Sequence, residues 1–246
     1  MPSKPLSKVE IAYGILKDSL LAGRIAQGQP LRIDQLDKAY GLGATPIREA
    51  LARLEPEGLV EQKPKRGFFA TRISAEDFED LIYTRITLER ALIVRAIERG
   101  DDVWEASVIT AHHLLAKATV DLRQLDARID QWQDRHVAFH MSLVAGSGAK
   151  RLVEDYRRAF EHIRRHQMAL LLKPAVASQE INDEEAGREI RELERRMNIA
   201  EHTRLMEAVL SRDVPRALQA VEEHLGLMPL ELIDDRQAPD MTGNHS

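Results

Sequence analysis

From residue 74 onward no segment alternates apolar and polar residues with the two-residue period of a strand, and the apolar positions recur at helical spacing. That restricts residues 74–233 to packed helices. Ser74-Ala75-Glu76-Asp77 is a capping signal opening a helix to about Arg99, and Gly100-Asp101 ends it. Further helices are predicted at about 102–118, 121–146, 149–172, 188–211 and 214–233. Gly146-Ser147-Gly148, Lys173-Pro174 and Asp213-Val214-Pro215 fall between them. No solenoid-like repeat is present, so the expected body is a bundle of about six helices. The polar tail, 234–246, is expected to be disordered. The complete absence of cysteine rules out disulfides, thiolate metal sites and cysteine nucleophiles.

Residues 1–73 follow a different pattern. A helix is expected from about Val9 to Leu21, with Val9, Ala12, Tyr13, Leu16 and Leu20 on one stripe and Gly23 closing it. Gly28-Gln29-Pro30 marks a loop, and a short helix from about Ile33 to Tyr40 turns Leu36 and Ala39 inward. Gly41-Leu42-Gly43 breaks the chain before a third helix, with Thr45 as its expected N-cap and Pro46 in its first position. Helix, glycine turn and helix make the layout of a helix-turn-helix. On the third helix Ile47, Ala50, Leu51 and Leu54 share one face, and Thr45, Arg48, Glu49 and Ala52 the other. Arg48 can reach a guanine edge or a phosphate, and Thr45 a phosphate. On spacing alone, Arg48 pairing with a nearby Glu remains the rival reading. Leu59–Gln62 and Phe68–Thr71 are expected strands around Lys63-Pro64-Lys65-Arg66-Gly67, a hairpin whose Lys65 and Arg66 could follow a minor groove or a phosphate rail.

Charge divides along the same line. Residues 1–72 hold 12 Lys and Arg against 8 Asp and Glu, whereas the remainder holds 23 against 32. A basic N-terminal module on an acidic body is the balance expected of a nucleic-acid binder with a regulatory domain. No apolar run approaches 18 residues, and Met1-Pro2-Ser3-Lys4-Pro5 has no apolar signal core. A cytoplasmic protein is expected.

Polar residues on the apolar faces of the body point to chemistry. On the first long helix Phe78, Leu81, Ile82, Leu88, Leu92 and Ala96 form the stripe, with Arg85 at its centre and Glu89 one turn on. An internal ion pair and a receptor for a ligand carboxylate are both open to Arg85. His136 and His140 share a face with Ile129, Val137, Leu143 and Val144, while His202 and His224 also lie on apolar faces. These four histidines could converge on a divalent ion such as zinc or nickel, or stand apart as core residues bonded to backbone. The pair His162/His166 has the same spacing but sits among Arg158, Arg164 and Arg165, poor surroundings for a cation.

The run from Ala44 to Val60, with Thr45-Pro46-Ile47-Arg48-Glu49-Ala50-Leu51 and Glu57-Gly58-Leu59-Val60, followed by Arg66-Gly67, resembles the GntR family of bacterial transcription regulators. Ala44 stands where that family commonly has Arg, Asp34 where a basic residue is frequent, and Pro56 near the helix end, which puts the operator sequence in question. Tyr83-x-Arg85-x-x-Leu88-Glu89, Phe139-His140, Glu201-His202 and His224-Leu225 resemble the FCD effector-binding domain of the FadR-type branch. Together the two likenesses cover about residues 8–230. The fold implied is mostly α: a winged helix-turn-helix over 1–73, then an all-helical, FCD-like domain over 74–233.

The resemblance implies DNA contacts from Thr45, Arg48, Lys65, Arg66 and Gly67. It implies a divalent metal on His140, His202 and His224, with His136 at the position of the family's Asp, and an effector pocket lined by Arg85. Ala149 replaces the usual Asn. The implied protein is a homodimeric regulator that binds an inverted-repeat double-stranded operator, commonly as a repressor, and responds to a small organic acid. Two rivals remain on the residues alone. One is a metal-dependent hydrolase, which lacks an HExxH motif and a placed general base; the other is a regulator whose body dimerises without metal.

Overall fold

The computed structural model describes residues 5–118, 127–172, 191, 194 and 197–226. The chain separates into two compact units between Ile73 and Ser74.

The first unit contains α1 (Lys8–Leu21), α2 (Ile33–Tyr40), α3 (Ala44–Leu54), β1 (Val60–Lys63) and β2 (Gly67–Ala70). A reciprocal cap opens α1: Ser7 Oγ accepts from the Glu10 amide at 3.2 Å, and the Ser7 amide donates to Glu10 Oε2 at 2.7 Å. Such caps contribute about 1 kcal/mol. Leu16 and Leu20 of α1 pack with Ile47, Ala50, Leu51 and Leu54 of α3, all buried. The inner face assigned to α3 from its spacing is therefore the packed one, and Thr45, Arg48, Glu49 and Ala52 are exposed.

Three local expectations need correcting. Helix α3 begins at Ala44 with Gly43, not Thr45, as its N-cap. Asp37 Oδ1 accepts from the Gly43 amide at 2.7 Å, and Gly43 takes a φ of +97° that favours glycine, so the turn closes before Thr45. Ala39 is exposed, because α2 lends only the partly buried Ile33, Leu36 and Tyr40 to the core. The strands pair Val60 with Ala70 and Lys63 with Gly67, one residue later and one earlier than expected. Pro64, Lys65 and Arg66 then form the tip. The segment read as a loop at Gly28–Pro30 also flanks β2: the Leu31 amide donates to Phe68 O at 2.8 Å and the Ala70 amide to Gln29 O at 2.9 Å.

The second unit comprises α4 (Ala75–Arg99), α5 (Asp102–Ala116), α6 (Ala127–Ala145), α7 (Lys150–His166), α8 (Ile199–Leu210) and α9 (Val214–Gly226). Helix α7 was expected to reach residue 172, but it ends at His166 and passes into a π-helical segment, Gln167–Leu172. The helix expected over 188–211 is interrupted, because Asn198 Oδ1 accepts from the Ala200 amide at 3.0 Å and starts α8 afresh at Ile199. The predicted helical residues 121–126, 188–190 and 227–233, and the tail 234–246, lie outside the described residues.

Leu92, Ile93, Phe139, Leu143, Tyr156, Phe160, Leu205, Val209 and Val221 bring α4, α6, α7, α8 and α9 into one core. Trp104 of α5 closes the end of that core, its Nε1 donating to Ser142 O at 3.0 Å. A Cβ on Gly100 would fall 2.0 Å from its ring, so only glycine fits there. No described helix is long and apolar enough to cross a membrane.

Candidate functional site

Helix α6 presents His136 and His140 one turn apart toward the bundle interior, and α8 and α9 bring His202 and His224 to the same place. One nitrogen from each ring falls within 4.8 Å of one from every other. His140 Nε2 lies 3.2 Å from His136 Nε2 and 3.3 Å from His224 Nε2. His140 and His202 are buried, and His136 and His224 keep a partly exposed edge. Trp132 stacks on His136 at 4.6 Å between centroids, and Phe160 tilts against both His136 and His140. The convergence that the sequence left open is thus present in the fold.

The surroundings keep the imidazoles neutral. Burial lowers His140 well below the ordinary imidazole range, with Arg85 and His202 adding to it. His136 and His224 are lowered well below that range too, chiefly by burial, and His202 is pushed down to about 4 by the same cause. Neutral imidazoles each carry one free lone pair, the form a metal requires.

Helix α4 supplies the charges. Arg85 (2% exposed) and Glu89 (0%) form the i,i+4 ion pair, with Arg85 Nε donating to Glu89 Oε2 at 3.2 Å. Glu89 Oε1 lies 3.0 Å from His140 Nδ1. Arg85 Nη2 sits 3.3 Å from His140 Nδ1 and 3.4 Å from Nε2, and the guanidinium rests on the Phe160 ring at 4.0 Å from its centroid. Glu89 entered the sequence reading as a partner for Arg85 and as the end of the Tyr83–Glu89 motif, not as a neighbour of His140. Its approach to His140, 51 residues away in the chain, had no sequence signal.

Two features of this cluster fit a divalent ion. His202 Nε2 is buried without a hydrogen-bond partner while its Nδ1 faces the Asn198 carbonyl, a costly state unless something takes up the Nε2 lone pair. A tetrahedral ion with metal–nitrogen bonds of about 2.0–2.1 Å spaces its ligand nitrogens about 3.4 Å apart, close to the 3.2 and 3.3 Å from His140 Nε2 to His136 and His224. The pair His162/His166 is not part of this cluster. His166 is buried, stacked on Phe78 and 2.8 Å from Asp77 Oδ2, which makes it a packing residue between α7 and α4.

In the first unit Thr45 and Arg48 project from the exposed face of α3, and Lys65, Arg66 and Gly67 are exposed on the hairpin. Lys65 has a φ of +60° and Gly67 of +84°. Lys63 and Arg66 lie over the Phe69 ring at 5.0 and 5.7 Å from its centroid. A cleft of about 530 Å³ opens between the start of α2 and the hairpin, and Arg32, Asp34, Arg66 and Phe69 line it. Arg32 is a cation on this face that spacing did not pick out.

A winged helix-turn-helix joined to a helical bundle with a polar interior site defines a DNA-binding transcription regulator. Residues 8–70 match the model for bacterial regulatory proteins of the gntR family, and residues 80–227 match the FCD domain. The chain belongs to the GntR family and carries an FCD domain. It is 32% identical to the HTH-type transcriptional repressor GlaR of Escherichia coli K12, over 92% of this chain and 96% of that one. It is 28% identical to the uncharacterised HTH-type transcriptional regulator BphR of Paraburkholderia xenovorans LB400, over 89% and 82%. Its fold is that of Escherichia coli McbR/YncC, with a TM-score of 0.66 at 18% identity, over 93% of this chain and 98% of that one. The family and these relatives are transcription regulators, not enzymes, which sets the hydrolase reading aside.

Proposed function

We propose that this chain is a cytoplasmic repressor that binds an inverted-repeat operator as a homodimer and releases it when a small organic acid enters a metal-centred pocket. Residues 1–73 bind the DNA, and residues 74–233 bind the effector and dimerise. The observation that carries the reading is the convergence of His136, His140, His202 and His224 within 4.8 Å. These four would hold the ion, and an all-imidazole set suits zinc or nickel. When bound, the ion supplies a positive, Lewis-acidic centre for a carboxylate.

Charge accounts for the class of effector. The four imidazoles are neutral, and the Glu89 charge is already matched by Arg85. Nothing buried among the described residues would offset a divalent ion, so an anion completes the site. Arg85 offers that anion a second cation. On the DNA, Thr45 and Arg48 enter the major groove while Lys65, Arg66 and Gly67 follow the minor groove or backbone. One small module makes few contacts, and a two-fold dimer doubles them and fixes the half-site spacing. The acid shifts the balance only by binding two dimer arrangements unequally. The repressor named among the relatives supports the sign of the response.

Elemental analysis of untagged protein, purified without chelator, tests the pocket. About one divalent ion per chain is expected, lost in the double variant His140→Ala, His224→Ala. Protein that stays metal-free after incubation with zinc and nickel would overturn the metal-centred reading and leave Arg85 alone to receive the acid.

A further inference from the structure

We infer that Glu89 is a positioning residue of the metal centre: it accepts the Nδ1 proton of His140 and thereby presents His140 Nε2 to the ion as a lone pair. The inference rests on the metal reading above and assigns a task to a residue on a different helix from the four ligands.

An ionised carboxylate only accepts hydrogen bonds, so its 3.0 Å approach to His140 Nδ1 is favourable only when that nitrogen carries the proton. The lone pair is then confined to Nε2, the atom 3.2–3.3 Å from the nitrogens of His136 and His224. Arg85 Nη2, a donor 3.3 Å from Nδ1 and 3.4 Å from Nε2, can bond only to Nε2 until an ion takes its place. The carboxylate cannot swing away, because Arg85 holds its other oxygen at 3.2 Å and the Phe160 ring supports the guanidinium. Glu89 is the only buried carboxylate among the described residues. A buried ion pair stabilises a fold little compared with apolar side chains of the same volume, so stability alone is a poor account of this pair. His202 shows the contrast: its Nδ1 donates to the Asn198 carbonyl at 3.2 Å, a neutral acceptor on its own helix. His140 alone of the four has a charged acceptor, and a carboxylate behind a ligating histidine fixes its tautomer and raises its basicity.

Glu89→Gln separates this role from packing. Arg85 requires an acceptor, so the carboxamide oxygen turns to Arg85 and the amide NH₂ faces His140 Nδ1. The proton then moves to Nε2 and blocks the ligating atom. Long-range ¹H–¹⁵N correlation spectra of the metal-free full-length protein are expected to show His140 protonated on Nδ1 in wild type and on Nε2 in Glu89→Gln. Zinc affinity, measured by chelator competition, is expected to fall about 10–100-fold in the variant.

Wild type that binds zinc alongside a variant that binds equally well would overturn this inference and leave the metal reading standing. Wild type that binds no zinc would overturn both. Should Glu89→Gln not fold, Glu89→Asp keeps the charge pair and withdraws the carboxylate by one methylene. Weakened zinc binding with the Nδ1 proton retained would support the inference, and unchanged affinity would overturn it.

Discussion

The two units place their candidate site residues on opposite sides of the solvent boundary. In the first, Thr45, Arg48, Lys65, Arg66 and Gly67 are exposed around a core with no buried charge among the described residues. In the second, Arg85, Glu89, His140 and His202 are buried inside the core itself. Composition follows the division: all nine histidines lie beyond residue 111, and residues 1–72 carry the cation excess. Phosphates are reached by hydrated, mobile charges, whereas a metal needs neutral nitrogens with free lone pairs, which a dry interior supplies by depressing imidazole pKa values. Surface and interior should therefore respond to different perturbations.

Salt should separate them most. Arg32, Arg48, Lys65 and Arg66 give four exposed cations per module and eight in the proposed dimer, within the range for which affinity falls about 10³–10⁵-fold between 50 and 200 mM salt. Zinc content should stay constant over that range, because charges buried in a core are little screened. Fluorescence anisotropy with operator DNA, alongside metal analysis, measures both. An affinity that barely changes with salt would break the comparison at its surface end.

Acid should act on the interior alone. In metal-free protein the folded body keeps His202 neutral down to about 4, and burial lowers His166 as well, while their unfolded counterparts titrate near 6.5. The unfolded chain therefore binds more protons, so stability is complete above about pH 6.5 and is lost as pH falls toward 4. His202 alone accounts for roughly 3 kcal/mol of that loss. The first unit contains no histidine. Both tryptophans, Trp104 and Trp132, lie in the body, so denaturant melts followed by tryptophan fluorescence in chelator report it selectively. A midpoint unchanged between pH 7 and 5 would show that the histidines are solvated.

How far each site could be read from sequence follows from the same contrast. The residues proposed to face DNA lie within one helix and one hairpin, so helical period and turn chemistry suffice to place Arg48 outward and Lys65 and Arg66 at a tip. What failed there was local: the Asp37–Gly43 bond that starts α3 early, and the exposure of Ala39. In the body, the apolar faces of α6, α8 and α9 marked four inward histidines, but spacing alone did not say whether they met. That depended on packing among helices up to 88 residues apart in sequence, from His136 to His224. The break at Asn198 shows a related limit. A strong N-cap inside a long helical pattern is visible only once it is weighed against continuity of the apolar stripe.

The smallest expected effects divide the surface itself. Arg48 stands on the exposed face of α3, where a bidentate contact to guanine is worth about 1–3 kcal/mol. Arg48→Ala should weaken binding mainly at the base pair it reads and flatten discrimination there. Arg32 lines the cleft between α2 and the hairpin, off the exposed face of α3 that carries Arg48. Arg32→Ala should lower affinity uniformly across operator variants and reduce the salt slope by about 1 per module. Asp34 lines the same cleft, where its charge would repel a phosphate, so Asp34→Ala should shift affinity the other way by a similar, small amount. Titrating the three variants against single-base operator substitutions distinguishes the roles. If Arg32→Ala changed base preference as Arg48→Ala does, the cleft would be part of the sequence-reading surface, and the division between positioning and reading cations would fall.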